Sequence, residues 1–344
     1  MVNALKPIIG KLVKRQNLTA DEASFAMEEI MEGRASSGQI AGFLIALSMK
    51  GEEVSEIVGL ATRMRARAVQ VNTGIENLFD TCGTGGDGAS TFNVFTLSAV
   101  VLAGCGLKVA KHGNRAVSSS CGSADLLEAM GVNVDAEIRV VERCFTEVGM
   151  AFLYAPVFHP SMRHAGPTRK ELGVRTAFNL LGPLTNPANA KRQLVGVPKP
   201  ELTEFMARAL LELGSERAWV VHGSDGLDEI SLTGDTKVSS VEKGAVSTFY
   251  VHPSDFGLTS APMDSLRVNG LDESLSTAQN VLNNFDGPAK NIVVINAAAS
   301  LLIAGRVTSL KDGVAMASEA LASGKARGVA KALSDVTKKG MDNA

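Results

Sequence analysis

The chain has little of what marks the more specialised protein classes. Its four cysteines, Cys82, Cys105, Cys121 and Cys144, form no C-x-x-C pair, and no histidine stands at zinc-finger spacing. That argues against a structural metal cluster and favours buried or loop thiols. Net charge is only −2, so no overall field of one sign favours nucleic acid. No apolar run reaches membrane-spanning length. The first residues, Met1 to Lys6, contain no secretory h-region, and the expected location is cytoplasmic. Aromatics are scarce, 5% against 45% hydrophobic residues in all, so the apolar content is mostly aliphatic, as in α/β proteins. Internal repeats and low-complexity stretches are absent, and 344 residues suit two domains better than one core.

Residues 1 to about 70 carry helical periods and no clear strand. Thr19 is placed to cap one helix and Ser37 the next, which Gly51 ends, and Val54 to Arg67 forms a further amphipathic helix. From Leu78 the pattern becomes strand–helix alternation. Strands are expected at 107–110, 151–154, 193–197 and 218–221. Helices are expected at 123–130, 137–148, 200–213, 275–284, 289–304 and 310–322. This predicts an α/β fold: a helical domain over 1–72, completed by part of the proline-rich stretch 160–190, and an α/β domain over 73–344 with a mostly parallel central sheet. The basic helical tail, Lys325 to Lys339, reads as a solvated face, since it lacks aromatics for base stacking.

The most informative segment is Asp80-Thr81-Cys82-Gly83-Thr84-Gly85-Gly86-Asp87-Gly88, between a short apolar run, Leu78-Phe79, and a helical pattern from Val94. Strand, glycine loop and helix bring bare N–H groups and a helix N-terminus to a phosphate. The loop is neither G-x-x-x-x-G-K-[ST] nor a dinucleotide fingerprint, and a tight turn that binds nothing is its plain alternative. Cys82 sits in it with no activating base beside it.

A second polar loop, Lys111-His112-Gly113-Asn114-Arg115 through Ser118-Ser119 to Ser123, follows the next strand. Lys111 and Arg115 can offset phosphate charge, and Ser123 also suits a helix N-cap. Two such loops after consecutive parallel strands meet at one end of the sheet. A third segment, Val220 to Glu229, ends in the adjacent carboxylates Asp228 and Glu229. These suit a magnesium ion shared with substrate phosphates, or simply a solvated acidic turn. The fourth, Arg163 to Pro187, holds several arginines able to bind a carboxylate, although a lone arginine is more often a surface charge.

Together the GTGGD, KHGNR-x-x-S, R-T-x-F-N-x-L-G-P-L-x-N-P and GLDE segments resemble the anthranilate phosphoribosyltransferase family, in family order and over nearly the whole chain. The resemblance implies a small helical domain hinged to a large α/β domain. It also implies a homodimer through the helical domain and the stand-alone form without an amidotransferase region. The implied reaction displaces pyrophosphate from 5-phosphoribosyl 1-pyrophosphate (PRPP) by the amine of anthranilate, in tryptophan synthesis. The implied PRPP site comprises Gly83, Gly86, Asp87, Thr91, Asn93, Val94, Phe95 and Thr96, the loop Lys111, His112, Gly113, Asn114, Arg115, Ala116, Val117, Ser118 and Ser119, and Ser123. Gly83, Asn114 and Arg169 are the implied anthranilate contacts, with Arg169 on the carboxylate. His112 is the candidate to help with the departing proton. Two Mg²⁺ ions are implied at Asp228 and Glu229, but Phe95 stands where the family carries a serine ligand. One ion is therefore expected to be weakened, or completed by water or by Glu229 and pyrophosphate alone. Two rival readings remain: a pyrimidine nucleoside phosphorylase of the same class, and a nucleic-acid-binding relative without the anthranilate activity.

Overall fold

A computed structural model describes residues 4–116 and 121–339. Four helices come first: α1 (Lys6–Val13), α2 (Ala20–Met31), α3 (Ser37–Lys50) and α4 (Val54–Arg67). Thr19 caps α2 in a capping box with Glu22. The cap of α3 is Ser36 rather than the expected Ser37, because Gln39, three residues beyond Ser36, completes the reciprocal pair of bonds. Glu56 of α4 is fully buried. Its carboxylate accepts the Leu18 and Glu53 N–H groups, each at 2.8 Å, and pairs with Lys50 Nζ at 3.0 Å. A buried carboxylate persists only when satisfied in this way.

The sheet has seven strands: β1 (Phe79–Gly83), β2 (Val109–Gly113), β3 (Met150–Tyr154), β4 (Arg192–Gly196), β5 (Arg217–Gly223), β6 (Thr236–Glu242) and β7 (Ala245–Val251). Their order is β3-β2-β1-β4-β5-β6-β7. The first five run parallel, and β6 and β7 add an antiparallel edge. The expected strands lie within a few residues of β2 to β5. Two differences bear on the site. The run at Leu78-Phe79 is longer than expected, so Asp80 to Gly83 are strand and the loop begins at Thr84. The β6–β7 hairpin, turned by Lys243 and Gly244 with positive φ at both, was not expected. Its strands carry many serines and threonines, and its turn lacks the usual Asn-Gly signature.

The chain order reverses across β1 and β4, since β2 and β3 extend to one side and β5 onward to the other. In an open parallel sheet that crevice, at the carboxyl ends of the strands, is where ligands bind. Helix α5 (Val94–Gly104) is buried nearly all round, against β1 on one side and the helix Pro288–Ile303 on the other. The Thr81 hydroxyl donates to Phe95 O at 2.8 Å and pins the start of α5 to β1.

The stretch after β3 breaks into short helical pieces, among them Pro160–His164, Gly166–Leu172 and Leu181–Leu184. Ala165, Phe178, Leu181 and Leu184 are buried in one cluster with Ile30, Phe43, Leu44 and Leu60 of the N-terminal helices. That cluster continues through the helix Glu201–Glu212 onto β4 and β5. Among the described residues no helix is long and apolar enough to cross a membrane.

Candidate active site

The crevice between β1 and β4 opens into a cavity of about 590 Å³. Its floor depends on two strand-ending glycines. Gly83 and Gly196 are register partners on β1 and β4. A Cβ on Gly83 would overlap the Asp228 carboxylate, and one on Gly196 would overlap the Asp228 main-chain oxygen. Both glycines are there for close approach, because neither has positive φ. The turn after β5 therefore lies directly on the strand ends, with Gly85 N–H donating to Asp228 Oδ2 at 3.0 Å.

Asp87, Asp228 and Glu229 converge there, with one carboxylate oxygen from each lying within 4.8 Å of the others. Burial is the main cause that raises all three carboxyls; repulsion from neighbouring carboxylates adds to it for Asp228 and Glu229, with Asp228 pushed up to about 7. Glu229 Oε2 is buried and has no hydrogen-bond partner. Crowded carboxylates with an orphaned oxygen fit a hard divalent cation, whose charge would favour their ionised forms. Asp87, expected only as a pyrophosphate contact, joins this group.

The other polar residues sort by what already holds them. Lys111 is buried, its ammonium donating to Thr81 O at 2.6 Å, and its charge offsets Asp80 and Glu229. Arg115, expected to offset phosphate charge, is committed elsewhere. It makes a two-pronged pair with Glu128 at 2.7 and 3.1 Å and a further bond to Asp125 at 3.1 Å. Asp125 also accepts the Ala116 and Gly122 N–H groups, so this cluster fixes the loop rather than the ligand. Gly122, not Ser123, is the N-cap of the following helix, and the Ser123 hydroxyl donates to Asn114 O. Asn114 lines the cavity, with its carboxamide oxygen held by Arg115 N–H at 2.8 Å and its NH₂ group not engaged in that bond.

Thr91, Asn93, Phe95 and Thr96 also line the cavity, whereas Val94 is sunk in the core. The Asn93 side chain donates to Cys121 O and accepts from Ser274. Phe95 reaches the floor, where its ring would collide with a Cβ on Gly196. Val117, Ser118 and Ser119 lie outside the described residues. Burial pushes the Cys82 thiol up to about 12, so it stays protonated and unreactive.

Two histidines face each other across the cavity wall, His112 and His159, with ring centroids 5.3 Å apart. His112 Nδ1 donates to Gly182 O and His159 Nε2 to Thr185 O, each at 3.0 Å. The remaining nitrogens, His112 Nε2 and His159 Nδ1, are therefore acceptors, and both are buried and unpartnered. Burial lowers His112 to about 3 and His159 to about 4, so both rings are neutral at pH 7. Arg169 lies on the same side, its guanidinium 5.4 Å from the Phe178 ring centroid. Met64, Met162, Phe178 and Leu181 give that end an apolar wall. Arg175 and His159 were not singled out from sequence, although Arg175 stands in the fourth segment, six residues beyond Arg169.

Both parts of the chain match one family. Residues 6–68 match the glycosyl transferase family, helical bundle domain, and residues 75–327 match the glycosyl transferase family, a/b domain. The class is thus a glycosyl transferase with its cleft at the switch point of the sheet. An anthranilate phosphoribosyltransferase of Moorella thermoacetica is 52% identical over 322 residues, covering 94% of this chain and 95% of the relative. The crystal structure of anthranilate phosphoribosyltransferase from Thermus thermophilus superposes with a TM-score of 0.90 at 42% identity, over 98% of this chain and 100% of that one. The Saccharomyces cerevisiae enzyme, in complex with PRPP and Mg, gives 0.89 at 27% identity, over 98% and 100%. Another structure of that yeast enzyme holds 4-fluoroanthranilate. The chain belongs to the anthranilate phosphoribosyltransferase family.

Replacing Gly196 by alanine should lift the acidic turn off the strand ends, because its Cβ meets backbone rather than a movable side-chain tip. We expect a loss of about 3 kcal/mol in urea unfolding and at least roughly tenfold weaker Mn²⁺ binding by calorimetry. The two histidines set an acid limit. The unfolded chain protonates each near pH 6.5 and the folded chain only near 3 and 4, so stability present above pH 6.5 is lost as pH falls. Between pH 6.5 and 5 each should cost roughly 2 kcal/mol. The double variant His112→Asn, His159→Gln, keeping the two donor positions, should flatten that slope in denaturant titrations.

Proposed function

We propose that this cleft transfers the 5-phosphoribosyl group of PRPP to the amine of anthranilate, releasing pyrophosphate. The observation that carries this is the convergence, on one cavity at the switch point, of the Thr84–Gly88 loop, the Asp87, Asp228 and Glu229 carboxylates, the Lys111–Asn114 strand end and Arg169. Unpartnered buried atoms at Thr84 Oγ1, His112 Nε2, His159 Nδ1 and Glu229 Oε2 support a polar ligand in the same place. Membership of a family whose yeast member binds PRPP with Mg, and 4-fluoroanthranilate, supports both substrates.

In this reading the glycine loop and the start of α5 hold the phosphates through N–H groups, with Thr91 and Thr96 beside them. Asp87, Asp228 and Glu229 hold Mg²⁺, which when bound neutralises the pyrophosphate oxygens. Arg169 takes the anthranilate carboxylate, Asn114 orients the acceptor, and the apolar wall receives its ring. The amine is already neutral at pH 7, so attack needs positioning more than a strong base. As the N–C1 bond forms, the C1–O bond breaks and its electron pair leaves on pyrophosphate. The proton released from the amine passes to His112 Nε2, a weak base matched to a strongly acidic arylammonium.

The cluster offers protein ligands for one ion, and the Phe95 ring fills the neighbouring corner of the floor, so we assign one tightly held Mg²⁺ in place of two. Two domains, 1–72 with part of 160–190, and 73–344, are supported by the shared burial of Phe178 and Leu181 with the N-terminal helices. Exposed Val13 and Met49, on the contacting helices α1 and α3, support a homodimer through the helical domain. A cytoplasmic location is consistent with an amino-acid biosynthetic reaction.

Purified protein given anthranilate, PRPP and Mg²⁺ should consume anthranilate fluorescence. Arg169→Ala together with Asn114→Ala should raise KM for anthranilate by roughly 100-fold and leave KM for PRPP nearly unchanged. Full activity in that variant would remove the acceptor-site assignment. Mn²⁺ counted by electron paramagnetic resonance in the presence of PRPP should give one tight ion per chain, rising to two in Phe95→Ser. An unchanged count would show that the ring does not limit the metal.

A further inference from the structure

We propose that Arg175 is the residue that grips the pyrophosphate end of the donor, an inference that rests on the transferase reading above. The reaction brings two kinds of anion into one cavity, a carboxylate and a diphosphate. Its cations are unequally available. Lys111 is held by the Thr81 carbonyl and Arg115 by Glu128 and Asp125. Among the described residues, Arg163, Arg169 and Arg175 are the cavity-lining arginines with no carboxylate oxygen within 4.0 Å, and of these Arg169 and Arg175 are partly desolvated by burial. Arg169 belongs to the apolar end, above Phe178. Arg175 belongs to the phosphate end.

Its guanidinium lies on the glycine loop itself. Arg175 Nη2 donates to Thr84 O at 3.3 Å, and the plane rests where a Cβ of Gly86 would be. Gly86 has φ +85°, so its lack of a side chain serves both the turn and this seat. The attraction of Asp87 and Asp228 draws the guanidinium to the carboxylate side of the loop, yet neither comes within ion-pair distance. One Nη atom bonds the loop, and the other N–H groups of the fork are left for an anion between the loop and the carboxylates. A planar fork suits a diphosphate better than a point charge does. The backbone beneath it is fixed, with Gly173 in the left-handed region before it and Thr176 N–H bonded to Asn179 Oδ1 after it. Ala177 and Phe178, which follow, are buried with the N-terminal helices. Arg175 thus reaches from the helical side of the cleft to a loop 91 residues earlier in the chain. As C1–O breaks, negative charge grows on the pyrophosphate oxygen, where a preorganised cation contributes most.

The test compares three ligands in Arg175→Gln and Arg175→Lys: PRPP, inorganic pyrophosphate and ribose 5-phosphate, each with Mg²⁺. We expect KM for PRPP and Ki for pyrophosphate to rise roughly 10- to 100-fold in the glutamine variant and to recover in part in the lysine variant. KM for anthranilate and Ki for ribose 5-phosphate should move less than about twofold. Unchanged pyrophosphate inhibition would overturn the assignment, as would an equal loss for all ligands, which marks a merely structural role. Failure of the unaltered protein to bind PRPP or form product would instead overturn the transferase reading, and this inference with it.

Discussion

The active-site floor depends on one steric fact: the acidic turn after β5 rests on two strand ends that carry no side chains. Gly83 and Gly196 are paired in register, and Asp228 occupies the space that two Cβ atoms would fill. Because the turn sits so low, its carboxylates are shielded from water and forced close to Asp87. Burial and crowding raise both carboxyls above the usual carboxylate range. A site of this kind is unsatisfied by itself and completed by added positive charge.

The cations around it are arranged by duty. Lys111 and Arg115 spend their donors on the protein, the first beneath the strand ends and the second in a clamp on the 115–122 loop. These bonds hold the glycine loop and the loop after β2 in place within the fold itself. Of the remaining cavity arginines, Arg169 lies over an aromatic ring and Arg175 over a glycine. The histidine pair on the same cavity stays neutral, because burial without a carboxylate partner disfavours imidazolium.

Much of the fold was legible along the chain. Period-3.6 runs marked the helices, and short aliphatic runs bounded by glycine marked the parallel strands. What stayed hidden had weak local signals. The β6–β7 hairpin mixes serine and threonine with its apolar residues and turns on Lys243-Gly244, and its character comes from pairing with β5. The true cap of α3 differed by one residue, since Ser36 and Ser37 are alike until the reciprocal bond to Gln39 selects between them.

The sequence by itself determined which groups exist near each strand end: the glycine loop, Lys111 to Asn114, Asp228 and Glu229, and the arginines of 163–175. Those follow from local order, because a parallel sheet delivers every strand's following loop to the same edge. Only the tertiary structure decided their duties. Arg115 left the ligand for Glu128, Val94 went into the core, Asp87 joined the other carboxylates, and Arg175 crossed to Gly86. The physical reason is that a charge's role depends on which opposite charge, carbonyl or void lies within a few ångströms. For Arg175 and Asp228 those neighbours come from segments about 90 to 140 residues away in the chain, whereas Glu128 lies only 13 residues beyond Arg115.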